Sequence, residues 1–221
     1  MATTILNIHT DEEINMKEAH IPYIITETAI DWNLIPRLDI DQLVLTDSTD
    51  VTAYAQICHS DTALFLHLSA TETEIRSQEK DLLGQPCKDS CLEFFFCPKE
   101  GDNRYFNFEF NPATCLFLGF GPNVHDLTRL LPNSPDFIDS IFHPSVTFRD
   151  DGWDIMYQIP YTFIRRFFPD FTPAQGQTIR ANFYKCADLA AKPHYLAWNP
   201  ITGTEGSVFH APEDFGLLYF D

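Results

Sequence analysis

The stretch Asp89-Ser90-Cys91-Leu92-Glu93-Phe94-Phe95-Phe96, followed after a turn by Tyr105-Phe106-Asn107-Phe108-Glu109-Phe110-Asn111, decides the fold. In the second run Phe106, Phe108 and Phe110 alternate with Tyr105, Asn107, Glu109 and Asn111. Successive side chains of a strand point to opposite faces, so this period puts three rings on one side and the polar set on the other. A helix would mix the two sets. The link Pro98-Lys99-Glu100-Gly101-Asp102-Asn103 carries turn residues and predicts a hairpin. Its polar face is costly to bury and reads as a binding surface.

Outward from the hairpin, turn signals separate further strands. Residues 51–60 and 62–70 pair as a hairpin, with Leu64, Leu66 and Leu68 on one face. Residues 115–120 are apolar on both faces, as an interior strand requires. A third hairpin turns at Asp150-Asp151-Gly152, and Trp153 alternates with Ile155 and Tyr157 as a core residue. Residues 21–25 read as an edge strand, and 177–186, 194–198 and 215–220 complete the set. The expected helix spans 160–168 and ends at Pro169, while 126–140 reads as an irregular excursion with one helical turn. About ten to twelve strands against one short helix argue an all-β, antiparallel, jelly-roll-like sandwich. Residues 1–20 read as a polar lead-in and 21–221 as a single domain, with no internal repeat.

A net charge of −18 excludes general attraction to nucleic-acid phosphates and disfavours anionic membranes; a neutral ligand or a cation suits it better. No basic start leads into an apolar run, and no apolar run is long enough to span a bilayer. The chain as written therefore reads as cytoplasmic, or as extracellular if its start has been trimmed. Six cysteines without an export signal read as free thiols. Eight histidines show no ligand spacing, and Gly119-Phe120-Gly121 is a turn rather than a nucleotide loop.

In order along the chain come Asp89-Ser90-Cys91-x-Glu93-Phe94-Phe95, Tyr105-x-Asn107-Phe108-Glu109-Phe110-Asn111, Gly119-x-Gly121, Ala181-Asn182-Phe183-Tyr184-Lys185-Cys186, His194-Tyr195-Leu196-x-Trp198-Asn199-Pro200 and Phe209-His210-x-Pro212-Glu213-x-Phe215-Gly216. Together they resemble a subgroup of family 9 carbohydrate-binding modules, within the DOMON-like superfamily of β-sandwiches. The resemblance implies non-catalytic binding of a mono- or oligosaccharide at one end of the sandwich. A ring would stack on the sugar while carboxylates and amides bond its hydroxyls. It also implies calcium as a possible structural ion and a carbohydrate-active enzyme as a possible partner.

On that basis Trp198 is the expected platform, and Glu93, Glu109 and Asn111 the polar contacts, with Asn182, Lys185 and His194 beside them. A buried structural role for Trp198 stands as the alternative. Two departures are visible. Relatives commonly carry a Trp just upstream of the Asp-Ser-Cys motif, where this chain has Cys87, so Trp32 or a tyrosine from another loop would have to replace that ring. No calcium loop is recognisable near Asp31; Asp89 reads as a calcium ligand or as a turn cap. Two further classes remain: a partner-binding domain that has lost the sugar site, and a glycoside-acting enzyme with Glu93 and Glu109 flanking a cleft.

Overall fold

The phenylalanine-rich hairpin lies at the centre of the larger of two sheets. A computed structural model describes residues 15–131, 136–203 and 207–221. Among them are the strands β1 (Glu18–Ile21), β2 (Leu38–Ile40), β3 (Gln42–Leu43), β4 (Thr52–His59), β5 (Ala63–Thr71), β6 (Cys91–Cys97) and β7 (Tyr105–Phe110). They continue as β8 (Leu116–Gly121), β9 (Thr128–Arg129), β10 (Ser145–Arg149), β11 (Gly152–Pro160), β12 (Thr178–Cys186), β13 (Tyr195–Ala197) and β14 (Gly216–Phe220). One sheet has the order β1-β14-β12-β6-β7-β8-β9, with β13 and β3 continuing from β12; the other has the order β10-β11-β5-β4-β2. Among the described residues, the pairings between these strands are antiparallel except β1 with β14. The expected β-sandwich is the observed architecture.

Between the sheets, Phe94, Phe96, Phe106, Phe108, Phe110 and Phe183 from the larger sheet meet Leu64, Leu66, Leu68, Trp153 and Ile155 from the smaller. The rings pack offset and edge-on, as with Phe94 on Phe183 at 4.8 Å. Trp153 is fully buried, in agreement with its alternation. Gly152 at the β10–β11 turn is required by close approach: a Cβ there would lie 2.0 Å from the Ala70 carbonyl oxygen.

The helices differ from expectation. The segment read as a helix over 160–168 gives a single turn, α2 (Tyr161–Ile164), while the longer helix, α1 (Asp136–Phe142), lies in the supposed irregular excursion. Tyr161, Phe163 and Ile164 are all buried. A run apolar on every side is held by packing, not by an amphipathic helical stripe. The lead-in is only partly described, residues 1–14 lying outside the described residues, and β1 begins at Glu18. Among the described residues no helix is long and apolar enough to cross a membrane.

The largest departure concerns the polar face of the hairpin. Tyr105, Asn107 and Asn111 are fully buried and Glu109 is 6% exposed, because the chain folds back over the outer face of the larger sheet. Val44, Val208, Phe209 and Phe215 cover Cys91, Phe95, Tyr105 and Tyr184 there, making a second, smaller core. Strand β6 is consequently buried along its whole length, on both faces.

On the smaller sheet, Asp154 accepts from Arg149 and lies 3.2 Å from His67 Nε2. Burial raises its pKa, but bonds from His67, Ser69 and Arg149 outweigh that and hold it at about 2. A depressed carboxyl stabilises the fold above its unfolded value, and that stability is lost as pH falls through the folded one. Acid titration between about pH 4 and pH 1 should therefore remove on the order of 1–2 kcal/mol through this group. Asp154→Asn should flatten that part of the stability–pH curve in urea melts.

Candidate functional site

A cavity of about 290 Å³ opens on the outer face of the larger sheet. It lies toward the end where β6 starts and β12 finishes, since Glu93 and Cys186 are in its wall. Alternation places Glu93 outward on β6, opposite Glu109 on β7, and Cys186 outward on β12 opposite Cys91. Cys87, Asp188, Tyr195, Phe209 and His210 complete the wall with Leu45, Ser207 and Val208. The site thus combines two carboxyl groups as cross-strand neighbours, two thiols, a third carboxylate and two aromatic rings.

Its electrostatics follow from burial. Glu93 is 2% exposed, and desolvation pushes its carboxyl from 4.5 up to about 7. Burial, and then the adjacent Glu93, hold Glu109 well above the carboxylate range. Like charges directly opposite on neighbouring strands repel, so the pair retains a proton near neutrality. Each carboxyl keeps a local partner: Cys186 Sγ lies 3.1 Å from Glu93 Oε1, and Asn107 Nδ2 donates to Glu109 Oε1 at 2.8 Å. His210 is held down at about 4 by burial and so is neutral, with Nδ1 2.7 Å from the Tyr105 hydroxyl.

Of the seven residues read as contacts from sequence, Glu93 and Glu109 meet in this cavity; the other five lie elsewhere, each held by a structural task. Trp198 is 3% exposed, packed in the inter-sheet core edge-on to Phe183 at 5.9 Å, and is not in the wall of this cavity. Asn111 Nδ2 donates to the Glu79 carbonyl and to Asp89, while its Oδ1 accepts from the amides of Ala113 and Cys115. Two donations and two acceptances exhaust an amide side chain. Asn182 is similarly occupied: its Oδ1 accepts from Asn199 N at 2.8 Å, and its Nδ2 donates to the Asn199 carbonyl at 3.1 Å. Lys185 is fully buried, 3.1 Å from Glu72 and 3.0 Å from His194 Nε2. Burial, then the Lys185 charge, lower the His194 pKa, so its imidazole is neutral and accepts from that ammonium.

Asp89 offers no free oxygen to calcium. It accepts from Arg76, from the amides of Gln78 and Glu79 at 2.7 and 2.8 Å, and from Asn111. Asp31 likewise caps its own turn by accepting from Asn33 N at 3.1 Å. Cys87 does stand at the cavity, whereas Trp32 lies beside His67 on the other sheet. The aromatic lining comes from Tyr195 and Phe209, which sequence reasoning passed over. The signal was present in β13, where alternation puts Tyr195 opposite to Leu196 and Trp198.

A model of carbohydrate-binding family 9 matches residues 24–220. The chain belongs to that family. Its structure resembles that of a protein from Bacteroides uniformis described as a candidate carbohydrate-binding protein, at 26% identity and a TM-score of 0.77, over 94% of this chain and 100% of the other. Two structures of a family 9 module from Caldicellulosiruptor kristjanssonii share the fold. One, in complex with cellotriose, has 14% identity and a TM-score of 0.64 over 93% of this chain and 94% of that one. The other, in complex with glucose, has 15% identity and a TM-score of 0.62 over 93% and 96%. No curated protein matches the chain.

Proposed function

We propose that this family 9 domain binds a carbohydrate in the cavity above Glu93 and Glu109 and performs no chemistry on it. The observation that carries the reading is the junction, in one cavity, of paired carboxyl groups with the rings of Tyr195 and Phe209. Carboxyl oxygens accept from sugar hydroxyls, a protonated member of the pair donates to one, and a ring covers the apolar C–H face. At about 290 Å³ the cavity is at the small end for ligand sites, which suits a terminal sugar rather than a long chain segment. The carboxyl groups lie side by side on one floor instead of flanking a bond, which favours hydroxyl binding over hydrolysis. In this reading the domain serves a carbohydrate-active partner, and its six free thiols suit a reducing compartment.

The test is calorimetric titration with glucose, cello-oligosaccharides and a broader sugar panel. None of the three tryptophans lines the cavity, so heat is a better readout than tryptophan fluorescence. Saturable heat is expected, with affinity falling about tenfold in folded Phe209→Ala, equivalent to about 1.4 kcal/mol. A silent panel, or unchanged affinity in Phe209→Ala, sinks the assignment.

A further inference from the structure

We infer that Cys91, Cys186 and Glu93 form a binding site for a thiophilic divalent ion, zinc by chemistry, at the base of this cavity. Cys91 and Cys186 are register partners on β6 and β12, and Glu93 follows Cys91 by two residues on the same face of β6. One ligand atom from each of the three lies within 4.8 Å of the others, with Cys186 Sγ 3.1 Å from Glu93 Oε1. Tetrahedral zinc, with bonds of about 2.3 Å to sulfur and about 2.0–2.2 Å to oxygen, needs donors roughly 3.5–3.8 Å apart. Small rotamer adjustments on two adjacent strands reach that spacing.

The donor set selects the metal. Two thiolates and one carboxylate suit zinc, whereas calcium takes six to eight hard oxygens. Free buried cysteine ordinarily packs as a small apolar group. Here, however, a buried carboxyl touches thiols, a second carboxyl stands opposite and Asp188 is in the same wall, so acidic groups crowd the site. Lys185 acts on Glu93 from the other face of the sheet, where it is already paired with Glu72. A dication supplies the charge that this wall lacks. Glu93 and Cys186 line the cavity, which gives the ion access and leaves a fourth position for water. Binding proceeds as Zn²⁺ plus two thiols giving two zinc–thiolate bonds and two released protons, together with the Glu93 proton where it is held. Affinity should therefore rise about 100-fold per pH unit where only the two thiol protons are released, and more steeply where the Glu93 proton is released as well.

The experiment is a cobalt(II) titration of the metal-free chain, kept reduced with a non-thiol reductant and checked for six reactive thiols after denaturation. One equivalent should produce thiolate-to-cobalt charge-transfer absorption with tetrahedral d–d bands, bleached by zinc. Competition with a chromophoric chelator should show zinc affinity at least 100-fold weaker in Cys186→Ala and in Cys91→Ala, and unchanged in Cys58→Ala. Absence of the thiolate band in the wild type overturns the site, whatever the folding of the variants. A thiolate band of undiminished intensity at the same cobalt concentration in folded Cys186→Ala overturns the ligand set. Sugar titrations of metal-free and zinc-loaded protein keep the two proposals apart: a cobalt band with a silent sugar panel leaves the metal site standing alone.

Discussion

Glu72→Ala should lower the unfolding free energy by about 3–5 kcal/mol, read from urea melts, because it strands a buried ammonium. Lys185 points from β12 into the interior and is fully buried; its Nζ lies 3.1 Å from Glu72 Oε2 and 3.0 Å from the Cys186 carbonyl. Glu72 also accepts from Trp153 Nε1 at 2.7 Å and from Ser90 Oγ at 3.1 Å, so one carboxylate joins both sheets and the strand-leading loop. His194 presents Nε2 to the ammonium while its Nδ1 lies 2.9 Å from the Lys192 carbonyl, which as acceptor fixes the neutral tautomer. Removing Glu72 leaves the ammonium with only neutral partners. The double variant Glu72→Ala/Lys185→Met should recover much of the loss, since the charge itself is gone. A double variant as unstable as the single one would show that the Trp153 and Ser90 bonds, not the ion pair, carry the effect.

The strands were legible because alternation is a local signal. Phe106, Phe108 and Phe110 face the core as their spacing requires, and the two loop-poor hairpins fall where their turn residues place them. The site was less legible because two layers, not one, are buried. A polar strand face normally reads as solvent-facing, yet here Val208, Phe209 and Phe215 return from far along the chain to cover it. Asn111 and Asn182 therefore became loop anchors: amides in a covered layer must find partners, and the backbone supplied them. Cross-strand register brought Glu93 to Glu109 and Cys91 to Cys186, and no local pattern encodes register between β6 and β12. Family resemblance carried the function class. Which side chains reach the cavity depended on the covering segment.

Trp198 shows the same lesson in energetic form, through an expected loss of stability rather than of binding. Its ring is edge-on to Phe183 at 5.9 Å, and Gly216 lies against it so closely that a Cβ there would approach within 2.6 Å of Cζ3. Its amide donates to the Phe183 carbonyl at 2.9 Å, which fixes the chain beside β12. Trp198→Ala empties a site walled by strands that cannot close on it, and the cost should be about 3–5 kcal/mol in denaturant melts. Gly216→Ala should push the ring from the other side, at about 1–3 kcal/mol. Sugar affinity, measured on the folded fraction well below the melting transition, should stay within about twofold of the wild type in both variants, a change of about 0.4 kcal/mol. A folded Trp198→Ala protein that had lost its sugar would return the platform to this ring and move the site away from Glu93 and Glu109. The physical objection to that outcome is position: the Trp198 ring packs in the core between the sheets and is not in the wall of the cavity where Glu93, Glu109, Tyr195 and Phe209 meet.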